Sequence, residues 1–379
     1  MTDLREAQTS ILKDTPVLGK ESVQILDGLN RVLACDVAAV EDLPVADISA
    51  LDGYALCYDG LETASGNPPA GLEIIAEASA GSPCALPITP GTAVRIMTGA
   101  LVPKGADTII KREHTLEKEG RVFCMRTPVP GQGIRFQGES FKKGDLVLKT
   151  GTFLTSLEIG GLAAFRRPWV TVFRKPVVAV LATGSELADF HDPLSRSKAM
   201  SSNLYALSAQ VIESGAIPLC QGLVRDCLEN LIQALEEADH AHVVITSGGT
   251  SRGKYDLTRK AFEAAGVQIR FSNQDKKQGK PTLFGIKGDQ LFFALPGNPY
   301  AAMLSFDQLV KPALLKMMGH RDVFSANTCQ EKDFSHVDTF SCGQKGKTSP
   351  LLAPSVLLGK RIPKQPKACT DHPLAKEAV

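Results

Sequence analysis

Three glycine-containing turns hold most of the residues in this chain that could do chemistry. They are Ala182-Thr183-Gly184-Ser185-Glu186, Ser247-Gly248-Gly249-Thr250-Ser251 and Leu295-Pro296-Gly297-Asn298-Pro299. Each offers backbone N–H groups, the first two add hydroxyls, and a helix start after such a turn adds the positive end of a helix dipole. None ends in the Gly-Lys-[Ser/Thr] of a P-loop, and Gly-Gly-Thr-Ser-Arg-Gly is not the dinucleotide fingerprint. The candidate acids are Asp47, Asp52, Glu186, Asp226 and Asp256, and Lys277 and Lys280 in "KKQGKPTLFG" supply positive charge. Carboxylates beside phosphate-holding turns suit Mg²⁺, which takes one or two carboxylates and completes its shell with substrate phosphate oxygens. Lysine ammonium groups complement the same phosphates. These residue types point to binding of a phosphorylated small molecule with Mg²⁺ and to cleavage or transfer of a phosphoryl-linked group. They do not name the ligand. Any one turn could be an ordinary connection and any one acid a solvated carboxylate or helix cap; the signal is their convergence. No Ser-His-Asp or Cys-His arrangement is visible among the seven dispersed histidines.

Such turns need a stiff support, and the flanking segments supply one. "PVVAVLATGSEL" is a continuous apolar strand ending in a glycine turn, and "SNLYALSAQVIESGAIPL" is a helix stopped by Gly215 with a strand after it. "CLENLIQALEEADHAHVVITSGG" repeats helix then buried strand, and "DLTRKAFEAAGVQIRFS" and "GDQLFFALPGNPYAAMLSF" continue the alternation. Strand–helix alternation with fully apolar strands predicts an α/β fold, a parallel sheet covered by helices on both faces. In such sheets the ligand lies beyond the carboxyl ends of the strands, where the three turns fall. Upstream the texture differs. From Leu43 to about Thr127 short apolar runs are punctuated by Gly and Pro, which reads as a mostly-β insert. "VQILDGLNRVLACDV" has apolar residues at helical spacing and then turns extended, and a helix is expected from about Ser156 to Phe165. The expected organisation is a linking domain of residues 1–42 with 128–172, an inserted mostly-β domain at 43–127, an α/β domain at 173–318 and an atypical region at 319–379. That last region has little periodicity and much Lys, Pro and Ser, so truncation or disorder is expected there.

Bulk properties exclude several classes. A formal net charge of +1 gives no reason to expect nucleic acid or a membrane surface as partner. No apolar run approaches the ~20 residues of a membrane span, and the charged start lacks the apolar core of a signal peptide. Nine scattered cysteines without a Cys-x-x-Cys pair suggest neither a zinc site nor a disulfide framework, and with no export signal they fit a cytoplasmic location.

Six stretches in order, "DISALDGYA", "GTAVRIMTGALVPKGADTII", "TGSEL", "SGGTSRGKYD", "GKPTLFG" and "LPGNP", closely resemble the molybdopterin molybdenumtransferase family, the bacterial MoeA type that is also the E domain of gephyrin. The resemblance runs from near residue 5 to about residue 318. It implies an enzyme that takes adenylylated molybdopterin and molybdate and releases molybdenum cofactor and AMP in an Mg²⁺-dependent step. It further implies a homodimer whose site lies between the α/β domain of one subunit and the inserted domain of the other, with a molybdopterin adenylyltransferase and molybdoenzymes as partners. Catalytic roles fall to Asp256, Glu186, Asp47 and Asp52, and metal binding to Asp226, Asp256 and Glu186. Substrate binding falls to Thr98, Thr183, Gly184, Ser247, Gly248, Gly249, Ser251, Lys277, Lys280, Pro296, Gly297, Asn298 and Pro299.

The sequence also departs from the family pattern. Ser140 in "RFQGESF" stands where an aspartate is usual, leaving Glu139 as the nearest acid. Gln278 replaces a proline between the lysines, Arg252 stands where a small apolar residue is common, and Arg112 where an uncharged residue is typical. The segment after His320 does not resemble the family's small C-terminal β domain. A protein that binds or delivers molybdopterin or its cofactor without catalysing insertion is the alternative reading.

Overall fold

The structure is a computed structural model that describes residues 4–59, 61, 71–193, 197–248, 254–273 and 282–324. The chain begins with helix α1 (Leu4–Asp14) and strand β1 (Lys20–Gln24). The insert follows, with β2 (Gly53–Leu56), β3 (Leu72–Ala78), β4 (Thr92–Ile96), β5 (Thr108–Lys111), β6 (Thr115–Lys118) and β7 (Arg121–Cys124). These six form one sheet in the order β5-β2-β4-β3-β7-β6, in which only the β3–β4 pairing is parallel. Alternate residues face opposite sides of a strand. Tyr54, Leu56, Ala93 and Ile110 therefore build one apolar cluster, while Ala55, Val94, Ile96 and Ile109 build another.

Helix α2 (Ser156–Ala164) and strand β8 (Trp169–Phe173) return the chain to its start, β8 pairing antiparallel with β1. The α2 start is fixed by a capping box in which Thr155 and Glu158 satisfy otherwise unpaired N–H groups. The segment "VQILDGLNRV" is not the helix that its apolar spacing predicts. Val23 lies in β1, a single 3-10 turn spans Leu26–Gly28, and Asn30 sits at φ 60. Its apolar residues Val23 and Ile25 pack against Leu33, Leu154, Leu162, Val170 and Val172, so tertiary packing overrides the local period.

The α/β part comprises β9 (Val177–Thr183), α3 (Ser202–Glu213), β10 (Ile217–Val224), α4 (Leu228–Glu237), β11 (Val243–Gly248), α5 (Lys254–Ala264), β12 (Gln268–Asn273), β13 (Thr282–Lys287), β14 (Gln290–Leu295), α6 (Pro299–Ser305) and α7 (Lys311–Met317). Its sheet runs β10-β9-β11-β14-β13-β12. Val178, Val180 and Ala182 of β9 pack with α1, α3, α6 and α7 on one face; Ala179 and Leu181 pack with α4 and α5 on the other. Burial of each large aliphatic side chain in these clusters contributes roughly 1.5–3 kcal/mol before entropy is subtracted.

The first four strands of this sheet are parallel, as the strand–helix alternation predicts, but β13 runs antiparallel to both β14 and β12. A two-residue loop, Gly288-Asp289, closes the β13–β14 hairpin, with Gly288 at φ 59 in the first central position. Two-residue hairpin turns that follow the strand twist need this left-handed geometry, and glycine adopts it without strain.

Candidate functional site

Register places the strand ends side by side. Thr183 is level with Val224 on one side and Gly248 on the other, and Ser247 is level with Leu295. The carboxyl ends of β9, β11 and β14 therefore lie in one row, where a ligand site is expected at the edge of parallel strands.

Asp226, two residues beyond β10, holds the first turn. Its Oδ1 accepts from the Thr183 hydroxyl at 2.6 Å and its Oδ2 accepts from the Ser185 N–H at 3.1 Å. A Cβ on Gly184 would lie 2.8 Å from Glu186 Oε1, so the Glu186 carboxylate folds back over this turn. Thr183 is 1% exposed while Ser185 and Glu186 are open to solvent. The hydroxyl thus braces the turn from beneath.

The second turn approaches the first even more closely. Gly248 has φ 99, and a Cβ there would lie 2.2 Å from the Thr183 carbonyl oxygen. The third turn is braced from within. Ser247, 1% exposed, donates through Oγ to the Pro296 carbonyl at 3.3 Å. Asn203, in the first turn of α3, donates from Nδ2 to Ser247 Oγ and to the Gly297 carbonyl, both at 2.8 Å. A Cβ on Gly297 would sit 3.4 Å from Gly248 Cα, so the third turn runs close beside the end of β11. Asn298 then caps α6, its Oδ1 accepting from the Ala301 N–H at 3.0 Å with Pro299 at the helix start.

Asn203 is absent from the residues picked out by sequence. The signal was there, since Ser201-Ser202-Asn203 are three N-cap types in succession, but they read equally well as the start of a helix. Its partners lie 44 and 94 residues away, which no local pattern reveals.

Asp47, Asp52 and Thr98 lie in the insert, where Asp52 and Thr98 are bonded to each other. Asp52 Oδ1 accepts from the Thr98 N–H at 2.7 Å and from the Thr98 hydroxyl at 2.8 Å, closing the turn after β4. Asp47 Oδ1 accepts from the Gln137 N–H at 2.8 Å, joining the insert to the returning chain. The Thr98 backbone N–H, then its hydroxyl, then the charge of Arg112 hold the Asp52 carboxyl below its ordinary value of 3.8. A carboxylate with a depressed folded-state pKa stabilises the fold above the ordinary value and loses that contribution as pH falls through the folded one. Asp52 is therefore expected to titrate below 3.8 by carboxyl NMR, and Thr98→Ala, which keeps the backbone N–H, to move its midpoint part of the way upward; an unmoved midpoint would reject the hydroxyl as a cause.

Ser140 Oγ accepts from Arg135 Nη2 at 2.9 Å, and Glu139 Oε1 lies 3.9 Å from Arg135 Nε, so Arg135 keeps an acidic neighbour despite the serine. Gly249, Ser251, Lys277 and Lys280 lie outside the described residues; Asp256 falls in the first turn of α5, but its side chain is also outside them.

Comparison with known proteins agrees with the order of the elements. The MoeA N-terminal region (domain I and II) model matches residues 2–165, and the probable molybdopterin binding domain model matches residues 179–316. The molybdopterin molybdenumtransferase of Nostoc sp. (strain PCC 7120) is 35% identical over 327 residues, covering 84% of this chain and 75% of that protein. That of Bacillus subtilis (strain 168) is 35% identical over 328 residues, covering 85% of this chain and 76% of that protein. The crystal structure of a molybdopterin biosynthesis moeA protein from Pyrococcus horikoshii matches with a TM-score of 0.74 at 31% identity, covering 84% of this chain and 80% of that one. With both models matched in chain order and a third of the residues shared across most of its length, the chain belongs to the molybdopterin molybdenumtransferase family.

Proposed function

We propose that this chain is a transferase of molybdenum cofactor biosynthesis that inserts molybdenum into adenylylated molybdopterin, with molybdate as second substrate and Mg²⁺-dependent release of AMP. The observation that carries the reading is the row formed by the carboxyl ends of β9, β11 and β14, cross-braced by Asp226, Ser247 and Asn203. A phosphorylated ligand lying along that row meets turn backbone in place of flexible side chains, so little reorganisation accompanies binding.

The donors present fit a divalent cation. Asp226 and Glu186 place two carboxylates on the first turn, an oxygen-only set that suits Mg²⁺ completed by phosphate oxygens. Among the described residues no group of three Asp, Glu, His or Cys side chains could by itself hold a metal ion. Asp226 and Glu186, with Asp256, would hold the cation, and Mg²⁺ there supplies neutralisation of phosphate charge. The chain's own part is to keep the first turn and its carboxylates at fixed spacing. Asp47, Asp52 and Thr98 act from the insert of a partner subunit in a homodimer. The four-part division at residues 42, 127, 172 and 318, a cytoplasmic location, supply by a molybdopterin adenylyltransferase and delivery to molybdoenzymes belong to the same proposal. Among the described residues no helix is long and apolar enough to cross a membrane.

The test is a single-turnover assay of purified chain with adenylylated molybdopterin, Mg²⁺ and molybdate, following AMP and retained molybdenum. Mg²⁺-dependent AMP release together with bound molybdenum is expected. Tight binding of the nucleotide without AMP release would make the chain a molybdopterin carrier, a reading favoured by Ser140 where a carboxylate is usual and by the departure of the sequence after His320 from the family pattern.

A further inference from the structure

We infer that Asn203 is a positioning residue, which sets the spacing between Ser247 at the end of β11 and the third ligand turn, and the carbonyl orientation of that turn. The inference rests on the reading that these turns hold adenylylated molybdopterin. Asn203 Nδ2 reaches both Ser247 Oγ and the Gly297 carbonyl at 2.8 Å, and Ser247 in turn donates to the Pro296 carbonyl at 3.3 Å. Two successive carbonyls of the third turn are thus drawn to one pair of side chains. In a trans peptide the C=O and the following N–H point in opposite directions. Drawing the Pro296 and Gly297 carbonyls toward α3 keeps their negative ends together on that side, away from an anion on the opposite one. A carbonyl turned toward a phosphate would repel it as strongly as an N–H attracts it.

The brace is rigid. Asn203 is followed by Leu204, Leu207 and Val211, all 0% exposed in the core beneath the sheet, so α3 cannot shift without opening that core. Gly297 already runs close beside Gly248, a Cβ position on Gly297 lying 3.4 Å from Gly248 Cα. Loss of the amide would leave the Gly297 carbonyl without this partner and the link to Ser247 Oγ carried by the Pro296 carbonyl at 3.3 Å. Preorganised groups of this kind act by holding others within a fraction of an ångström of their working geometry.

The test uses full-length Asn203→Ala, Ser247→Ala and the double variant. Removing two neutral hydrogen bonds is expected to weaken binding of adenylylated molybdopterin by about tenfold to thirtyfold. The two variants share the Asn203–Ser247 bond and each removes one further bond of its own, so the double variant should be worse than either single variant but by less than the sum of the two penalties. Amide exchange on the unliganded protein supplies a second readout, with faster exchange at Gly248, Gly297 and Asn298 expected in Asn203→Ala. Additive penalties, binding within twofold of wild type, or unchanged exchange at those three amides would overturn the inference. Wild-type protein that does not bind the nucleotide would instead overturn the proposed ligand, while the exchange data still decide the role of Asn203.

Discussion

Gly248→Ala is expected to lower the thermal midpoint by about 5 °C or more and to weaken nucleotide binding by about a hundredfold or more. Two independent costs coincide at this residue. Its φ of 99 lies in the region that side chains avoid, and the added Cβ would sit 2.2 Å from the Thr183 carbonyl oxygen. That oxygen cannot step aside, because it belongs to β9, whose Thr183 is in register with Gly248. The backbone must separate there, and separation displaces the first turn as well as the second. Strain of a left-handed non-glycine residue alone amounts to about 1–3 kcal/mol, with the steric clash added. Gly81→Ala supplies the control: Gly81 has φ 83 but nothing within 4 Å of its Cβ position. It should show a small loss of stability and unchanged binding. Differential scanning calorimetry with titration of the nucleotide separates the two. A Gly248→Ala protein with wild-type midpoint and affinity would show that the turns are not in the close packing described here.

Asp226→Ala is expected to reduce turnover by about a hundredfold or more, the scale on which removal of a charge-organising group acts. The carboxylate accepts from both ends of the first turn, Thr183 Oγ1 and Ser185 N, so its loss frees Ser185 and Glu186 together. Hydrogen bonds to a charged acceptor contribute more than neutral ones. Asp226→Asn keeps an acceptor for Thr183 but turns an NH₂ toward the Ser185 N–H, donor against donor, and should fall close to the alanine variant. Thr183→Val removes one of the two bonds and keeps the charge, with a loss of about tenfold expected. Turnover at several Mg²⁺ concentrations divides the roles. If Asp226 also holds the cation, Asp226→Asn raises the Mg²⁺ needed for half-maximal rate and Thr183→Val does not. An Asp226→Ala rate within threefold of wild type would reject both roles.

Much of this protein is written locally. The apolar stretches that open Val177–Thr183 and Val243–Gly248 announce buried parallel strands, because a strand covered on both faces has no polar side to alternate with. The helix of α3 and its stop at Gly215, with φ 84, are legible for the same kind of reason. So are the three glycine turns and the ordered stretches that mark the family. Other features came from partners distant in the chain. β13 lies antiparallel because a two-residue loop leaves no length for a crossover, and "VQILDGLNRV" becomes a strand and a single turn because β8 offers it a partner. Asp47 and Asp52 read from sequence as acids for chemistry; folding shows each bonded to a backbone N–H, at Gln137 and Thr98. Asn203 gained its place only when β11 and β14 became neighbours and brought Ser247 and Gly297 to one amide. Sequence by itself determined which residue types could hold a phosphorylated ligand and which elements would carry them, since propensity, burial period and turn chemistry act over a few residues. The tertiary structure alone decided which carbonyls face which way and which side chains brace them, because those hydrogen bonds join residues tens of positions apart.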